Sequence, residues 1–237
     1  MNVFSHIGPG IYFSGHFLMA MTSYRDYEQL TSWQSTLLVA FASLCCAFDM
    51  WTSVAYHLYN PMGERQGEIL LKYDLTGIVA VMLSCFLGIA YTLFFEWSFE
   101  RNVIIAVLTP MLISNFFVLF HPACVKDSMH CYKVFVIAST QVLLYVTAII
   151  GRVWFSNDYH IAEIYPRLFT AFIYVIIGFL FWWSKFPERV GFLGRYEAVQ
   201  MFLNSHVFWH LLVFACEYNL YWVCFDLNVK HEQILLT

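Results

Sequence analysis

Two histidines stand one helical turn apart in an otherwise apolar stretch of the chain. The stretch reads FLNSHVFWHLLVF, and the histidines are His206 and His210. Residues at positions i and i+4 lie on the same face of an α-helix, so both imidazoles would point to one side. Such a pair supplies two nitrogen ligands to a metal ion, as in the HExxH motif of metalloproteases, although HVFWH lacks the internal Glu of that motif.

A third imidazole, a carboxylate and a hydroxyl stand in two other apolar stretches. His57 lies near the end of TSVAYHLYNP, Ser53 precedes it by one turn, and Asp74 lies in ILLKYDLTGIVA. Three histidines favour zinc, because three protein nitrogens leave the fourth tetrahedral position to water in catalytic sites. We predict His57, His206 and His210 as zinc ligands. Asp74 would orient or deprotonate the water, with Ser53 as a hydrogen-bond partner or oxyanion donor.

The elements that carry these residues are expected to lie in a membrane. Of the 237 residues, 60% are hydrophobic and 12% are charged, whereas soluble domains have about 25% charged residues. No block of Lys or Arg indicates nucleic-acid binding. The seven cysteines are odd in number and lack a spaced framework, which argues against a disulfide scaffold. The opening MNVFSHIGPG has no basic region or cleavage site, so we expect no removable signal peptide.

Seven segments are long and apolar enough to cross about 30 Å of hydrocarbon. We predict an all-α integral membrane protein, a single seven-helix domain over residues 1–237, because lipid does not satisfy open backbone. The predicted crossings are residues 3–22, 34–59, 69–95, 102–120, 133–154, 165–184 and 198–223. A cytosolic N-terminus would put seven Lys and Arg residues on the cytosolic side and five on the other, which favours that orientation.

This topology brings the polar residues to one depth. The end of the second crossing and the starts of the third and seventh lie on the same membrane face, whichever way the chain is oriented. An ionisable residue inside a membrane span is a functional candidate by default. Taken singly, each of these residues is also compatible with a hydrogen bond across a helix interface, or with contact to water at the membrane surface. The convergence of three segments favours metal binding.

Two more carboxyl groups lie further along the same helix faces. Asp49 precedes His57 by eight residues, and Glu217 follows His210 by seven. Eight residues span about 12 Å, so Asp49 is too far from His57 to share its metal ion. Both acids are compatible with a deep polar cavity or proton relay between crossings two and seven, and equally with hydrogen-bonded acids in the core.

The remaining histidines and cysteines suggest no second metal site. We expect His6 and His16 to line contacts between helices. A rival cluster in the stretch HPACVKDSMHC has a spacing that matches no standard zinc motif, so we expect an ordinary exposed loop there. Its members are His121, Cys124, His130 and Cys131.

Five sequence elements occur together in the order and spacing of a known family. They are NVFSHIGPGIYF, SVAYH, KYDLTGI, KFPER and SHVFWHLLVF. Through them the chain resembles the progestin and adipoQ receptor family, which is related to the bacterial hemolysin III proteins. The resemblance extends over nearly the whole chain.

The resemblance implies a seven-helix membrane protein with a cytosolic N-terminus and a zinc ion near the cytosolic leaflet. It assigns His57, His206 and His210 as ligands and puts Asp74 in contact with the zinc through water. Family members are receptors for hormones or steroids, and some hydrolyse the amide bond of ceramide to a sphingoid base and a fatty acid. Receptor members have a long cytosolic region before the first helix, so we expect this chain to be a short member or a fragment.

From the residues and the resemblance we expect a multi-pass protein of the plasma membrane or an endomembrane. It would be a zinc-dependent, ceramidase-like lipid amide hydrolase, a hormone receptor, or both. Its partners would be ceramide, another sphingolipid or a free fatty acid within the helix bundle and, for a receptor, an extracellular ligand. The alternative is a receptor or scaffold without enzymatic activity, in which the zinc is structural.

Overall fold

Helices are the only regular secondary structure in the part of the chain that the structure, a computed structural model, describes. The described residues are 2–22, 32–94, 97–121, 130–154 and 159–235, and they contain no strand. Single 3₁₀ turns lie at Asn60–Met62 and Leu193–Arg195. The helices are α1 (Asn2–Met21), α2 (Trp33–Tyr59), α3 (Glu64–Leu93), α4 (Ser98–Phe120), α5 (His130–Trp154), α6 (Tyr159–Ser184), the short α7 (Glu197–Phe202) and α8 (Ser205–Leu235).

The predicted all-α membrane bundle is confirmed. Each predicted crossing coincides with one of the seven long helices, and the short α7 is an addition. Within the described residues, five helices are long and apolar enough to cross a membrane; α5 contributes only the shorter apolar segment Val142–Gly151. The five are Trp33–Met62, Glu64–Leu93, Ser98–Phe120, Ile164–Ser184 and Ser205–Lys230. The cytosolic position of the N-terminus stays a prediction.

The limits predicted for the seventh crossing were wrong at both ends. Residues 198–223 were expected to form one helix, but the chain breaks after α7, and α8 then continues to Leu235. The break has a local cause, because the side-chain oxygen of Asn204 accepts a hydrogen bond from the Val207 amide at 3.0 Å. A side-chain acceptor of this kind satisfies an amide at a helix N-terminus and favours a new helix start. As a result, His206 lies in the first turn of α8.

The core lies where α1, α2, α3 and α8 meet. Helix α2 packs between α1 and α3, and α8 packs along α6 and also contacts α1, α2 and α3. The backbones of α3 and α8 approach closely at Gly88, where a Cβ atom would lie 2.2 Å from the Sγ of Cys224. A larger residue at Gly88 would require the Cys224 side chain to move. Helices α2 and α8, which carry the three histidines, also contact each other directly.

The outer faces of the bundle are apolar. Large hydrophobic side chains such as Phe99, Phe117, Val153 and Trp183 are more than two-thirds exposed. A soluble domain rarely exposes apolar surface on this scale. Together with the five apolar helices, this surface identifies a multi-pass integral membrane protein.

Candidate metal centre

Three histidines from α2 and α8 bring their ring nitrogens together. The Nε2 atoms of His57 and His210 are 2.9 Å apart, and those of His57 and His206 are 3.4 Å apart. All three residues offer ligand atoms that lie within 4.8 Å of one another. Among the described residues, no other group of three or more His, Cys, Asp or Glu side chains meets that condition. The structure therefore confirms the prediction that these three histidines lie close together.

The end of α2 determines the position of His57. His57 lies in the last turn of α2, and the helix ends at Tyr59 because Pro61 follows two residues later. Proline has no amide hydrogen and its ring obstructs the preceding turn, so the α-helix stops before it. The Asn60 amide still donates a hydrogen bond to the Tyr56 carbonyl. His57 therefore lies on an ordered final turn.

The loop before α7 helps to determine the positions of His206 and His210, at the start of α8. The Glu188 carboxylate accepts hydrogen bonds from the Ser205 amide, at 2.7 Å, and from the Ser205 hydroxyl. A carboxylate at this position satisfies a free backbone amide and interacts favourably with the positive end of the helix dipole. Since Ser205 immediately precedes His206, Glu188 fixes the orientation of the helix start that carries both ligands.

The surroundings of Glu188 favour the charged form of its carboxyl group. Partial burial acts to raise the pKa of its carboxyl group, but the hydrogen bonds from Ser205 and the attraction of Lys185 outweigh it. The pKa of Glu188 is consequently below its usual value. In the sequence, KFPER is only a family-like element, and its pattern does not indicate that its Glu caps α8.

A large cavity extends from the histidines between α2, α3, α6 and α8. Its volume is about 520 Å³, which is within the range of small-molecule sites. His206 and His210 line one part of it, and Ser53 and Asp74 line the same cavity. The rest of the wall is mainly apolar and includes Leu71, Leu75, Ile78, Val142, Phe172, Val175, Ile176, Phe179, Leu180, Trp182, Trp209 and Val213.

The two residues predicted to be catalytic lie beside each other in this cavity. The Asp74 carboxyl is close to the Ser53 side chain. Ser53 Oγ is buried and has no hydrogen-bond partner among the described residues. Asp74 is not one of the side chains whose ligand atoms cluster within 4.8 Å, so the geometry separates it from the three histidines. Its role, like that of Ser53, stays a prediction.

A fourth histidine lies beside the cluster, at a contact between α1 and α8. His6 in α1 was expected to line a helix contact, but it also lines the cavity and is only 2% exposed. Its ring contacts that of His210 edge to face, with the ring centroids 4.1 Å apart. The Ser5 hydroxyl and His6 Nδ1 form a hydrogen bond of 3.0 Å. The family-like NVFSH element contained this signal, but periodicity did not distinguish His6 from His16.

The deeper acids Asp49 and Glu217 are brought together. Asp49 lines the large cavity, Glu217 lines a separate small one, and their carboxyl groups interact directly. Neither belongs to the histidine group. The rival cluster around residues 121–131 falls largely outside the described residues, since 122–129 and the side chains of His130 and Cys131 are not described.

The three histidines fit a zinc ion by their donor type, and two of the separations between their nitrogens can be compared with those of a tetrahedral site. Nitrogens bound to one tetrahedral zinc at ~2.0–2.1 Å lie about 3.4 Å from each other. The separation of His57 and His206 equals that value, and His57 and His210 are half an ångström closer. His210 is 5% exposed, and His57 and His206 are partly buried. Buried imidazoles are ligands suited to zinc, copper, iron and nickel, so the structure supports a metal site without selecting one metal.

Known proteins resemble the chain over almost its full length. The profile of the family described as "Haemolysin-III related" matches residues 1–221. "Progestin and adipoQ receptor family member 3" from Mus musculus is 24% identical over 226 residues, which cover 94% of this chain and 70% of the relative. The Homo sapiens protein of the same name has the same identity and coverage.

Proposed function

The chain belongs to the haemolysin-III related family, and we propose from that premise that it is a metal-dependent amide hydrolase of membrane lipids. The observation that carries the proposal is a cluster of three imidazoles, two of which, those of His206 and His210, line a largely apolar cavity of about 520 Å³. A lipid with an amide bond between its polar head and an acyl chain matches that arrangement. Ceramide is such a lipid, and we propose it as the substrate class.

The metal ligands in this proposal are His57, His206 and His210. A zinc ion held there would act as a Lewis acid and would lower the pKa of a bound water molecule to about 7. The ends of α2 and α8 would hold the three nitrogens near one another before any ion binds. Preorganised ligands of this kind lose little conformational entropy on binding.

The cavity wall would bind the acyl chain. Phe172, Val175 and Phe179 from α6 line the cavity, opposite Leu75 and Ile78 from α3. Burial of each methylene group contributes about 0.8 kcal/mol relative to water. In a membrane the competing solvent is lipid, so shape, more than the hydrophobic effect, would decide which chains are accepted. We expect the aromatic side chains of α6 to limit acyl-chain length.

Asp74 and Ser53 would act on the reacting amide. In the hydrolysis, water adds to the carbonyl carbon, the bond from carbon to nitrogen breaks, and the fatty acid and the sphingoid base leave. The Asp74 carboxylate would accept the proton from the attacking water and return it to the leaving nitrogen. The buried Ser53 hydroxyl, which has no partner among the described residues, is available to donate a hydrogen bond to the carbonyl oxygen.

A receptor function is the second proposal. The mouse and human relatives are named as members of a receptor family, and we carry that role over to this chain as an alternative. In that case the metal would be structural, holding α2 against α8. A lipid in the cavity would then be a ligand whose binding changes the packing of α6 and α8, and no turnover would be detected.

Incubation of purified protein with ceramide carrying a labelled acyl chain distinguishes the two proposals. The hydrolase proposal predicts release of labelled fatty acid that stops after chelation and returns with added zinc. It also predicts that Asp74→Asn lowers turnover by about 100-fold or more while metal content is unchanged. Turnover that is absent in the metal-loaded wild type, with chelation lowering only the melting temperature, would refute the hydrolase and favour the receptor.

A further inference from the structure

Asp49 and Glu217 form a second polar centre in the bundle, separate from the histidines. Asp49 is 3% exposed and Glu217 is 1% exposed. Along α2, Asp49 lies eight residues from His57, and along α8, Glu217 lies seven residues from His210. At a rise of 1.5 Å per residue, Asp49 lies about 12 Å deeper than His57, and Glu217 lies about 10 Å deeper than His210. Their carboxyl groups face each other across the α2–α8 interface.

No cationic side chain compensates this pair within the described part of the chain. The groups that act on the two acids are Asp74 and Cys85 from α3, Cys216 from α8, and Cys45 and Cys46 from α2. All of these are acids or neutral thiols. Two carboxylates in contact repel each other strongly where the dielectric constant is low. A buried acid pair of this kind needs a cation from outside the protein.

Each acid also presents a free oxygen atom. Asp49 Oδ1 and Glu217 Oε2 are buried, and neither has a hydrogen-bond partner among the described residues. Buried polar atoms without a partner are rare, and each requires an explanation such as a bound ion. Here one oxygen atom of each carboxyl group is available, on two side chains that already contact each other.

The packing around Asp49 is arranged to leave room for its carboxyl group. Gly77 of α3 lies directly against it, and a Cβ atom at that position would be 2.4 Å from Asp49 Oδ1 and 2.5 Å from its Cα. Glu217 also borders a separate small cavity of about 10 Å³, whose other lining residues are mainly apolar and do not include Asp49. Because Asp49 also lines the large cavity, a small ion has a route to the pair from there.

We propose that Asp49 and Glu217 together bind one monovalent cation, either a proton or a sodium ion. The structure disfavours a divalent transition metal, because the histidine triad is the only group of three or more potential ligands within 4.8 Å in the described residues. One cation leaves a single negative charge shared by the two carboxyl groups, as in carboxyl dyads that share a proton. The bound cation would hold α2 and α8 together below the histidine site.

Thermal unfolding of the purified protein tests the sodium form of the site. The melting temperature is measured in detergent at rising NaCl and at equal concentrations of choline chloride. If sodium is the occupant, NaCl raises the melting temperature of the wild type and choline chloride does not. Asp49→Asn and Glu217→Gln each abolish that rise. The control Asp226→Asn, which removes a partly exposed acid from the same helix, retains it.

Infrared spectroscopy of the same samples tests the proton form. A shared proton gives a carboxylic-acid carbonyl band that shifts in D₂O, and both Asp49→Asn and Glu217→Gln remove it. Circular dichroism verifies that the amide variants keep the helix content of the wild type. The proposal is overturned if the wild type has neither a sodium-specific stabilisation nor such a band. It is equally overturned if either signal survives in the double variant.

Discussion

The imidazole cluster at the start of α8 and the carboxyl pair two turns further along the same helix are chemically opposite. Both are built from α2 and α8, and both lie in the close-packed part of the bundle. Of the three histidines, His206 and His210 border the cavity of about 520 Å³. The acids pack against Gly77 and buried cysteines, and Asp49 alone of the pair reaches that cavity. One helix interface therefore provides a histidine site suited to a transition metal and a more deeply placed acid site suited to a small cation.

The contrast between the histidine cluster and the acid pair shows that burial alone does not determine what a polar centre binds. Imidazole is neutral when it ligates a metal, so clustering three of them costs little before the ion arrives. Carboxylates carry charge, so clustering two of them in an apolar interior requires an ion at all times. Four substitutions test this contrast, and they follow in order from the largest expected effect to the smallest.

The largest effect is expected for His210→Ala. The variant lacks the most buried ligand, and we expect its zinc affinity to fall by more than the ~100-fold that loss of an outer-shell partner costs. Competition with a chromogenic chelator measures this. Glu217→Gln, on the same helix, is the matched control and should keep the wild-type affinity. If both substitutions lower affinity equally, the two centres are not independent.

Gly77→Ala is expected to destabilise the fold without removing a ligand. The new methyl group would lie 2.5 Å from the Cα of Asp49, so α2 and α3 must separate, at a cost of about 1–3 kcal/mol. Gly15→Ala is the control, because a Cβ atom there meets nothing within 4 Å and alanine favours helix. Thermal unfolding should rank Gly77→Ala lowest of the three proteins. A stability equal to that of Gly15→Ala would contradict the tight packing assigned to the acid pair.

Glu188→Gln is expected to have an intermediate effect on the histidine centre. Loss of the charged cap should destabilise the start of α8 by about 1 kcal/mol and lower zinc affinity by about 10-fold, since outer-shell changes cost 10- to 100-fold. Because the pKa of Glu188 is lowered in the folded protein, its stabilisation is complete above the ordinary Glu pKa of about 4.3 and is lost as the pH falls below it.

Acid titration of unfolding therefore separates wild type from variant. The melting temperature of the wild type should fall more steeply than that of Glu188→Gln as the pH is lowered through this region. Parallel curves would show that the carboxylate does not stabilise α8. Arg189→Gln changes the neighbouring charge without touching the cap, and it should retain the wild-type pH dependence.

The smallest effect is expected for His6→Phe. Phenylalanine keeps a ring against His210 but removes the nitrogens, so we expect a loss in zinc affinity of a few-fold, below the usual 10-fold for an outer-shell partner. The visible spectrum of the cobalt-substituted protein should shift, because it reports ligand geometry. His16→Phe is the matched control on the same helix, since its ring contacts Tyr12, Tyr221 and Trp222. An identical response from both variants would remove His6 from the site.

The sequence predicted the cluster of three histidines because two separate rules agreed. Helical spacing put His206 and His210 on one face, and counting membrane crossings put His57 at the same depth. Both rules depend only on helix geometry and bilayer thickness, and the structure brings the three nitrogens within 4.8 Å. The helix positions were predicted for the same reason, because long apolar segments are the strongest signal in a membrane protein.

The features that the sequence did not predict depend on contacts between distant residues, which hydrophobic periodicity does not reveal. The start of α8 was misplaced because its cap comes partly from Glu188, seventeen residues earlier. His6 was separated from the site because its neighbour His210 lies more than 200 positions away. The same holds for Asp49 and Glu217, whose faces were predicted but whose contact was not. In each case, tertiary packing selects among helix faces that the sequence leaves equivalent.

X-ray absorption at the zinc edge of the purified protein would show directly whether three imidazoles bind one zinc ion. We predict about one zinc per chain, with three nitrogen neighbours at ~2.0–2.1 Å, one oxygen and no sulfur. The nitrogen signal should disappear in His57→Ala and remain in His16→Ala. Sulfur neighbours, or zinc that His57→Ala retains with an unchanged spectrum, would place the ion elsewhere and contradict the account.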